Sequence, residues 1–169
     1  MKVIKMFLIS ILTLVVIINV VLFYKSIFHH DDIPNILGYK PLIVLSGSMS
    51  PTFNYGDLII IKDVDTNTLK KGDIISFTDS KKYNTTHRIS NISNIKGCFE
   101  TKGDANNVKD IGIVCTKDIQ GKYLMKIVGL GSVILFIQSP IGFIILMSLI
   151  IMICIYIYLS EPRRKKSKK

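Results

Sequence analysis

The chain has 169 residues, a formal net charge of +10 at pH 7 and a mean hydropathy of +0.41. This length allows one ordinary domain with appendages, and the chain is too apolar for an average soluble protein. Its cations are concentrated beside two long uncharged runs, as the positive-inside rule predicts for cytoplasmic flanks of membrane helices. We therefore expect a membrane protein and no nucleic-acid partner.

The first uncharged run extends over the 19 residues from Met6 to Tyr24. A helix of about 20 apolar residues crosses the hydrocarbon core of a bilayer. A cleavable signal peptide is the alternative, but its apolar region is usually about 7–15 residues long and a small-x-small cleavage site should follow. We therefore expect residues 1–24 to form a permanent transmembrane anchor, with a helix over Lys2–Tyr24.

A polar connector, "HHDDIPN", follows the anchor and places two histidines beside two aspartates. These residues are His29, His30, Asp31 and Asp32. A metal site is one interpretation, but nothing in the sequence fixes the geometry that a ligand set requires. We favour a polar loop next to the membrane, and we expect neither a metal nor another cofactor.

The middle of the chain, residues 25–130, contains six short runs that are typical of strands. The predicted strands are Pro41–Leu45, Gly56–Lys62, Lys70–Phe77, Thr85–Ile92, Gly97–Asp104 and Lys122–Gly129. Little helical periodicity separates them, so the fold class is mainly β, with an all-β extracytoplasmic domain. Such a length is sufficient for the domain to bury its own core.

Two of the three cysteines, Cys98 and Cys115, lie in this predicted outward domain, and Cys154 lies in the second uncharged run. An extracytoplasmic location permits a disulfide. Because the sequence does not show that Cys98 and Cys115 approach each other, a disulfide and two separate thiols are both open.

The second uncharged run has 34 residues, Ile127–Ser160, which is longer than one crossing needs. Ser139 and Pro140 suit a helix start, with serine as the N-cap and proline in the first turn. We therefore predict one crossing over Ile141–Leu159 and an apolar stretch over Gly129–Gln138 that lies against the domain or in the membrane interface.

This interpretation divides the C-terminal part into two regions. Residues 131–159 form the interfacial segment and the second transmembrane helix, and residues 160–169 form a basic cytoplasmic tail. Both termini are then cytoplasmic, and residues 25–130 face outward.

A candidate for chemistry is Ser48, within the stretch "LSGSMSPT". A serine hydroxyl is a poor nucleophile unless a base such as histidine takes its proton. His87 lies in a predicted strand, and Asp104 and Asp110 lie in the turn-rich stretch "TKGDANNVKD". Spacing permits a Ser/His/Asp hydrolase but does not establish one, because each residue also has an ordinary structural interpretation.

Five ordered motifs carry a resemblance to a known family. "SGSMSPT", "GDLIIIK", "GDIISF", "THRI" and "TKGDANNVKD" occur in this order over Leu45–Asp110. Together with the two flanking apolar runs, they resemble the type I signal peptidases. The common bacterial branch of that family uses a lysine base. The chain instead resembles the endoplasmic-reticulum-type branch, found also in archaea and some Gram-positive bacteria, which has a histidine there.

The resemblance implies roles for individual residues. Ser48 matches the nucleophile, His87 the general base, Asp110 the acidic member of the relay and Asp104 the other acidic residue needed in this branch. It leaves open which aspartate orients the imidazole. Ser46 falls where lysine-branch relatives have an oxyanion-hole hydroxyl, so we name it as a candidate donor beside the backbone N–H of Ser48.

The implied function is endoproteolysis: removal of signal peptides from secreted preproteins by a membrane-bound serine endopeptidase that cuts after small residues. The implied partners are preproteins, the lipid bilayer and, as in eukaryotic relatives, accessory subunits. Two other classes are weighed against this one. A membrane-tethered binding domain does not explain the joint presence of the motifs, and a repressor-type self-cleaving protease is soluble and uses a lysine.

Overall fold

The structure, a computed structural model, describes residues 2–28, 34–79 and 82–160. The connector residues His29, His30, Asp31 and Asp32 and the tail residues 161–169 lie outside the described residues, so those predictions stay predictions. The chain divides into two compact units. One comprises Met1–Asp31 and Leu135–Lys169, and the other comprises Asp32–Ile134.

The described residues of the second unit form one antiparallel sheet of seven strands in the order β1-β2-β7-β3-β4-β5-β6. The strands are β1 (Tyr39–Ile43), β2 (Leu58–Lys62), β3 (Ile74–Thr78), β4 (Asn84–Ile92), β5 (Cys98–Lys102), β6 (Val114–Cys115) and β7 (Ile119–Ile127). All six predicted strands overlap an observed strand, which confirms a mainly β fold. The two-residue strand β6 was not predicted, because so short a run carries no alternation that a sequence pattern can reveal.

The sheet buries apolar side chains on both faces. One cluster contains Val44, Met49, Phe53, Ile59, Ile61 and Ile74, and the other contains Leu69, Ile75, Phe77, Ile89, Phe99 and Val114. Ile74 and Ile75, which are adjacent in β3, belong to different clusters, because successive side chains of a strand point to opposite faces of the sheet. This alternation also decides which polar side chains can meet on each face.

Within the described residues, three α-helices account for the apolar parts near the two ends of the chain: α1 (Lys2–Phe28), α2 (Leu130–Gln138) and α3 (Pro140–Leu159). The start of α3 follows the predicted capping, since the Gly142 N–H donates to Ser139 Oγ at 3.0 Å. The apolar stretch before Ser139 is the helix α2, which the sequence analysis did not predict as a helix.

One stretch of the described residues, Pro140–Ile157 in α3, is long and apolar enough to cross a membrane. The described part of α1 contains the shorter apolar stretch Ile9–Val21. Helices α1 and α3 are in contact within their unit. The coarse fold, a mainly antiparallel β-sheet with three helices, is therefore confirmed, whereas two crossings stay a prediction.

Strand β6 pairs with β5 so that Cys115 lies directly opposite Cys98, and the two form a disulfide. The alternative of two separate thiols, left open by the sequence, is thus not the one observed. The link closes a loop between residues 17 positions apart, and Cys154 is free and exposed.

We expect the double change Cys98→Ser and Cys115→Ser to lower the free energy of unfolding by about 3 kcal/mol, because closing a loop of this size restricts the unfolded chain. Denaturant unfolding of the full chain in detergent, followed by tyrosine fluorescence, measures the difference. Cys154→Ser is the matched control and should leave the free energy unchanged. Equal stability of all three proteins would contradict the prediction.

Candidate active site

Ser48 lies on a tight turn between β1 and β2, and two apolar side chains of this turn, Met49 and Phe53, are buried. The Ser50 N–H donates to Gly47 O at 3.0 Å, and the Phe53 N–H donates to Met49 O at 3.2 Å. Met49 and Phe53 are each 1% exposed and belong to the first apolar cluster. These anchors fix the backbone of the turn while the side chain of Ser48 stays partly exposed.

The turn that follows β5 packs directly against the backbone of Ser48. The Ala105 N–H donates to Ser48 O at 2.9 Å, and the Asp104 N–H donates to Met49 Sδ at 3.4 Å. A Cβ at Gly103 would lie 2.6 Å from Ser48 O, a distance that real Cβ atoms do not show. Glycine is therefore needed at residue 103 for the two turns to approach each other.

His87 projects from the middle of β4 onto the face of the second apolar cluster. It lies opposite Ile75 of β3 and is 7% exposed, and its ring and that of Phe77 meet at an interplanar angle of 69° with 6.4 Å between centroids. Its Nε2 lies 3.0 Å from Ser48 Oγ, and its Nδ1 lies 2.6 Å from Asp110 Oδ2. Packing thus holds the imidazole between a hydroxyl and a carboxylate.

Asp110 lies beyond the turn, in a segment without regular secondary structure. Its Oδ2 accepts a hydrogen bond from Thr101 Oγ1 at 2.7 Å, and its N–H donates to Thr101 O at 2.9 Å. The structure therefore brings Ser48, His87 and Asp110 together in one continuous chain of hydrogen bonds.

Asp104 pairs with Arg88 rather than with the imidazole. Arg88 Nε donates to Oδ1 at 2.8 Å and Nη2 donates to Oδ2 at 2.6 Å, a bidentate pair, while Thr52 Oγ1 also donates to Oδ2. The Arg88 guanidinium holds the pKa of Asp104 below its usual value, and the hydroxyl of Thr52 adds to this effect. Arg88 follows His87 in β4 and so points to the opposite face of the strand.

Ser46 is exposed, and its Oγ lies 3.2 Å from Ser48 Oγ. Either hydroxyl could donate in this pair, so Ser46 contacts the predicted nucleophile directly. Its oxyanion role stays a prediction, since that role concerns where a substrate oxygen would lie.

Sequence reasoning missed three partners of the site: Arg88, Thr52 and Thr101. Arg88 could have been suspected, because it stands beside the histidine in "THRI" and a guanidinium fits a carboxylate in bidentate fashion. Thr101 gives no comparable signal. It reaches the face of His87 only because β5 pairs with β4 in the observed register, with Thr101 opposite Ile89.

The arrangement has the geometry of a general-base site. With the imidazole proton on Nδ1 and shared with Asp110, Nε2 can accept the hydroxyl proton of Ser48. Within residues 34–79 and 82–160, no group of three or more His, Cys, Asp or Glu side chains is placed to hold a metal ion.

We expect the pair between Asp104 and Arg88 to stabilise the fold in a pH-dependent way. Because the pKa of Asp104 is lower when folded than when unfolded, its contribution is present above about pH 4 and is lost as the pH falls below that value. The difference in free energy of unfolding between wild type and Asp104→Asn should therefore shrink from neutral pH towards about pH 3.

Denaturant unfolding of both proteins at several pH values measures this difference. Asp118→Asn, in the turn after β6, controls for the loss of one negative charge. A difference between wild type and Asp104→Asn that stayed constant with pH would contradict the prediction.

The chain is similar in sequence to a known protein family and to several known proteins. A family model described as "Signal peptidase, peptidase S26" matches residues 1–131. Signal peptidase I W of Bacillus subtilis is 40% identical over 93 residues, which cover 53% of this chain and 49% of that protein.

Two eukaryotic relatives are catalytic subunits of the signal peptidase complex. The one from Candida tropicalis is 37% identical over 79 residues, covering 45% of this chain and 47% of the relative. The one from Homo sapiens is 35% identical over 78 residues, covering 43% and 40%. The chain thus spans about half the length, or less, of the curated relatives it matches. Because the family model covers well over half of the chain, the chain belongs to the signal peptidase family, peptidase S26, and it is similar to members of the endoplasmic-reticulum-type branch.

Proposed function

We propose that this chain is a membrane-bound serine endopeptidase that removes signal peptides from secreted preproteins. The observation that carries the proposal is the continuous hydrogen-bonded chain from Ser48 Oγ through His87 to Asp110 Oδ2. Membership of the signal peptidase family supports the substrate class, because it links this geometry to preproteins.

In the proposed reaction, His87 Nε2 takes the proton of Ser48, whose Oγ attacks the carbonyl carbon of the last small residue of the signal peptide. The imidazolium then protonates the amine of the mature chain as the peptide C–N bond breaks, and the signal peptide stays joined to Ser48 as an acyl-enzyme. Water, deprotonated by the same imidazole, attacks the ester and releases the signal peptide. Asp110 keeps the imidazole in the required tautomer and stabilises its charged form.

Negative charge on the substrate oxygen needs donors that are already in place before the reaction. We assign this role to the backbone N–H of Ser48 and to the hydroxyl of Ser46, whose Oγ lies 3.2 Å from Ser48 Oγ. Asp104 has a structural role. Together with Arg88 it forms hydrogen bonds with the hydroxyl of Thr52, a residue of the turn that carries Ser48.

An extended substrate segment fits an open strand edge near the serine. Within the described residues, β1 pairs with β2 alone, so its other edge has no strand partner, and it ends at Ile43, five residues before Ser48. Pairing along such an edge presents alternate substrate side chains to the domain, which suits recognition of small residues at the first and third positions before the cut.

The basic test is loss of processing. We expect Ser48→Ala and His87→Ala each to lower the rate of preprotein cleavage by at least about 1,000-fold, because the nucleophile or its base is gone. Cleavage of a radiolabelled preprotein by the detergent-solubilised full chain measures this rate. Ser50→Ala, two residues after Ser48, is the matched control and should retain activity. Unimpaired cleavage by the Ser48→Ala protein would refute the proposal.

For the membrane topology, we propose two crossings with both termini in the cytoplasm. Residues 1–24 anchor the chain, residues 25–130 form the extracytoplasmic catalytic domain, residues 131–159 return through the interface and the bilayer, and residues 160–169 form the cytoplasmic tail. The cations beside both apolar runs and the length of α3 support this arrangement.

Cysteines introduced one at a time into a Cys154→Ser protein, in which Cys98 and Cys115 stay joined as a disulfide, test this topology. A membrane-impermeant maleimide should label Lys71→Cys in intact cells, whereas Lys2→Cys and Ser167→Cys should react only after permeabilisation. Labelling of Ser167→Cys in intact cells would contradict a cytoplasmic tail, and labelling of Lys2→Cys would contradict a cytoplasmic N-terminus.

Accessory subunits are candidate partners. The relatives from Candida tropicalis and Homo sapiens are named as catalytic subunits of a signal peptidase complex. Activity of the purified chain alone in the cleavage assay would show that no further subunit is required.

A further inference from the structure

Thr101 makes two hydrogen bonds to Asp110, one from its side chain and one to its main chain. Its hydroxyl donates to Asp110 Oδ2 at 2.7 Å, and its carbonyl oxygen accepts from the Asp110 N–H at 2.9 Å. The oxygen that receives the hydroxyl is the one that lies 2.6 Å from His87 Nδ1. Thr101 therefore touches the carboxylate at the atom through which that carboxylate meets the imidazole.

The position of the hydroxyl of Thr101 is well determined. The residue lies on β5, opposite Ile89, and is 1% exposed. Ile89 is two residues after His87 in β4, so both project from the same face of the sheet, together with Thr101. A buried β-branched side chain has few accessible χ1 rotamers, so its hydroxyl is already in place without further ordering.

Among the described residues, His87 and Thr101 are the two whose side chains form hydrogen bonds with the Asp110 carboxylate. Its side chain is 24% exposed, and its neighbours Lys109 and Ile111 are exposed. The ammonium group of its neighbour Lys109 is paired with a different carboxylate, since Lys109 Nζ donates to Glu100 Oε2 at 2.7 Å. Arg88, whose guanidinium binds Asp104 in bidentate fashion, projects from the opposite face of β4.

We infer that Thr101 is a positioning residue for the proposed reaction: it holds the Asp110 carboxylate in the orientation in which Oδ2 meets His87 Nδ1. The inference rests on the proposed function, since it gives Asp110 the orienting role. Without the hydroxyl, the carboxylate can rotate about its terminal torsion, which has broad minima, and solvent can compete for Oδ2. The imidazole would then spend less time in the reactive tautomer and orientation.

The inference is tested by removing the hydroxyl and restoring it. We expect Thr101→Val to lower kcat by about 10- to 100-fold, the effect of a lost hydrogen bond to a charged group, with KM nearly unchanged. Thr101→Ser keeps the hydroxyl and should retain kcat within about threefold of wild type. Thr86→Val is the matched control, because the Thr86 hydroxyl donates to Ser76 and not to the site.

A double-mutant cycle with Asp110→Ala separates positioning from a general effect on the fold. If Thr101 acts through Asp110, Thr101→Val should cause no further loss in the Asp110→Ala protein, measured by single turnover with enzyme in excess. If the valine protein does not fold, Thr101→Ala removes the same hydroxyl and carries the same expectation.

Three results would overturn the inference: unchanged kcat for the hydroxyl-less variants, failure of Thr101→Ser to restore activity, or an additive loss in the Asp110→Ala background. Ser48→Ala in the same assay distinguishes the two proposals. An active Ser48→Ala protein defeats the proposed function, whereas an inactive one beside an unaffected Thr101→Val protein defeats only the inference on Thr101.

Discussion

The hydrogen bond between His87 Nδ1 and Asp110 Oδ2 is the interaction on which the rest of the site depends. An imidazole can accept a proton from a serine only if its other nitrogen carries the ring proton, and an acceptor at Nδ1 enforces that tautomer. The sheet supplies the imidazole from β4, and the segment after β5 supplies the carboxylate. The position of strand β4 relative to the segment after β5 therefore decides whether this hydrogen bond forms.

Successive side chains of strand β4 point to opposite faces of the sheet, so that both faces carry polar contacts of the site. His87 points to one face and contacts Asp110, while Arg88 points to the other and binds Asp104. Both aspartates come from the segment after β5, six residues apart. Asp104 accepts a hydrogen bond from Thr52 and so links that segment to the turn of Ser48. Asp110 contacts His87 and completes the hydrogen-bonded chain. The two carboxylates thus contact different residues because successive side chains of β4 point to opposite faces of the sheet.

The proposed histidine base differs from a lysine base in what the surrounding protein must supply. A lysine base has an ordinary pKa of about 10.4 and needs strong desolvation to be neutral at pH 7. A histidine has an ordinary pKa near 6.5 and needs orientation instead. The disulfide between Cys98 and Cys115 closes a loop that contains Thr101 and Asp110, the two residues that we propose orient His87.

Much of this protein could be predicted from its sequence, and the limits have physical causes. Short β-branched runs between glycine-containing turns predicted six of the seven strands, and ordered motifs singled out Ser48, His87, Asp104 and Asp110, because these features are local. The sequence could not decide which aspartate meets the imidazole, whether Cys98 meets Cys115, or that Thr101 is at the site. Those contacts depend on the pairing of β4 with β5 and of β5 with β6, and strand register is a property of the folded sheet.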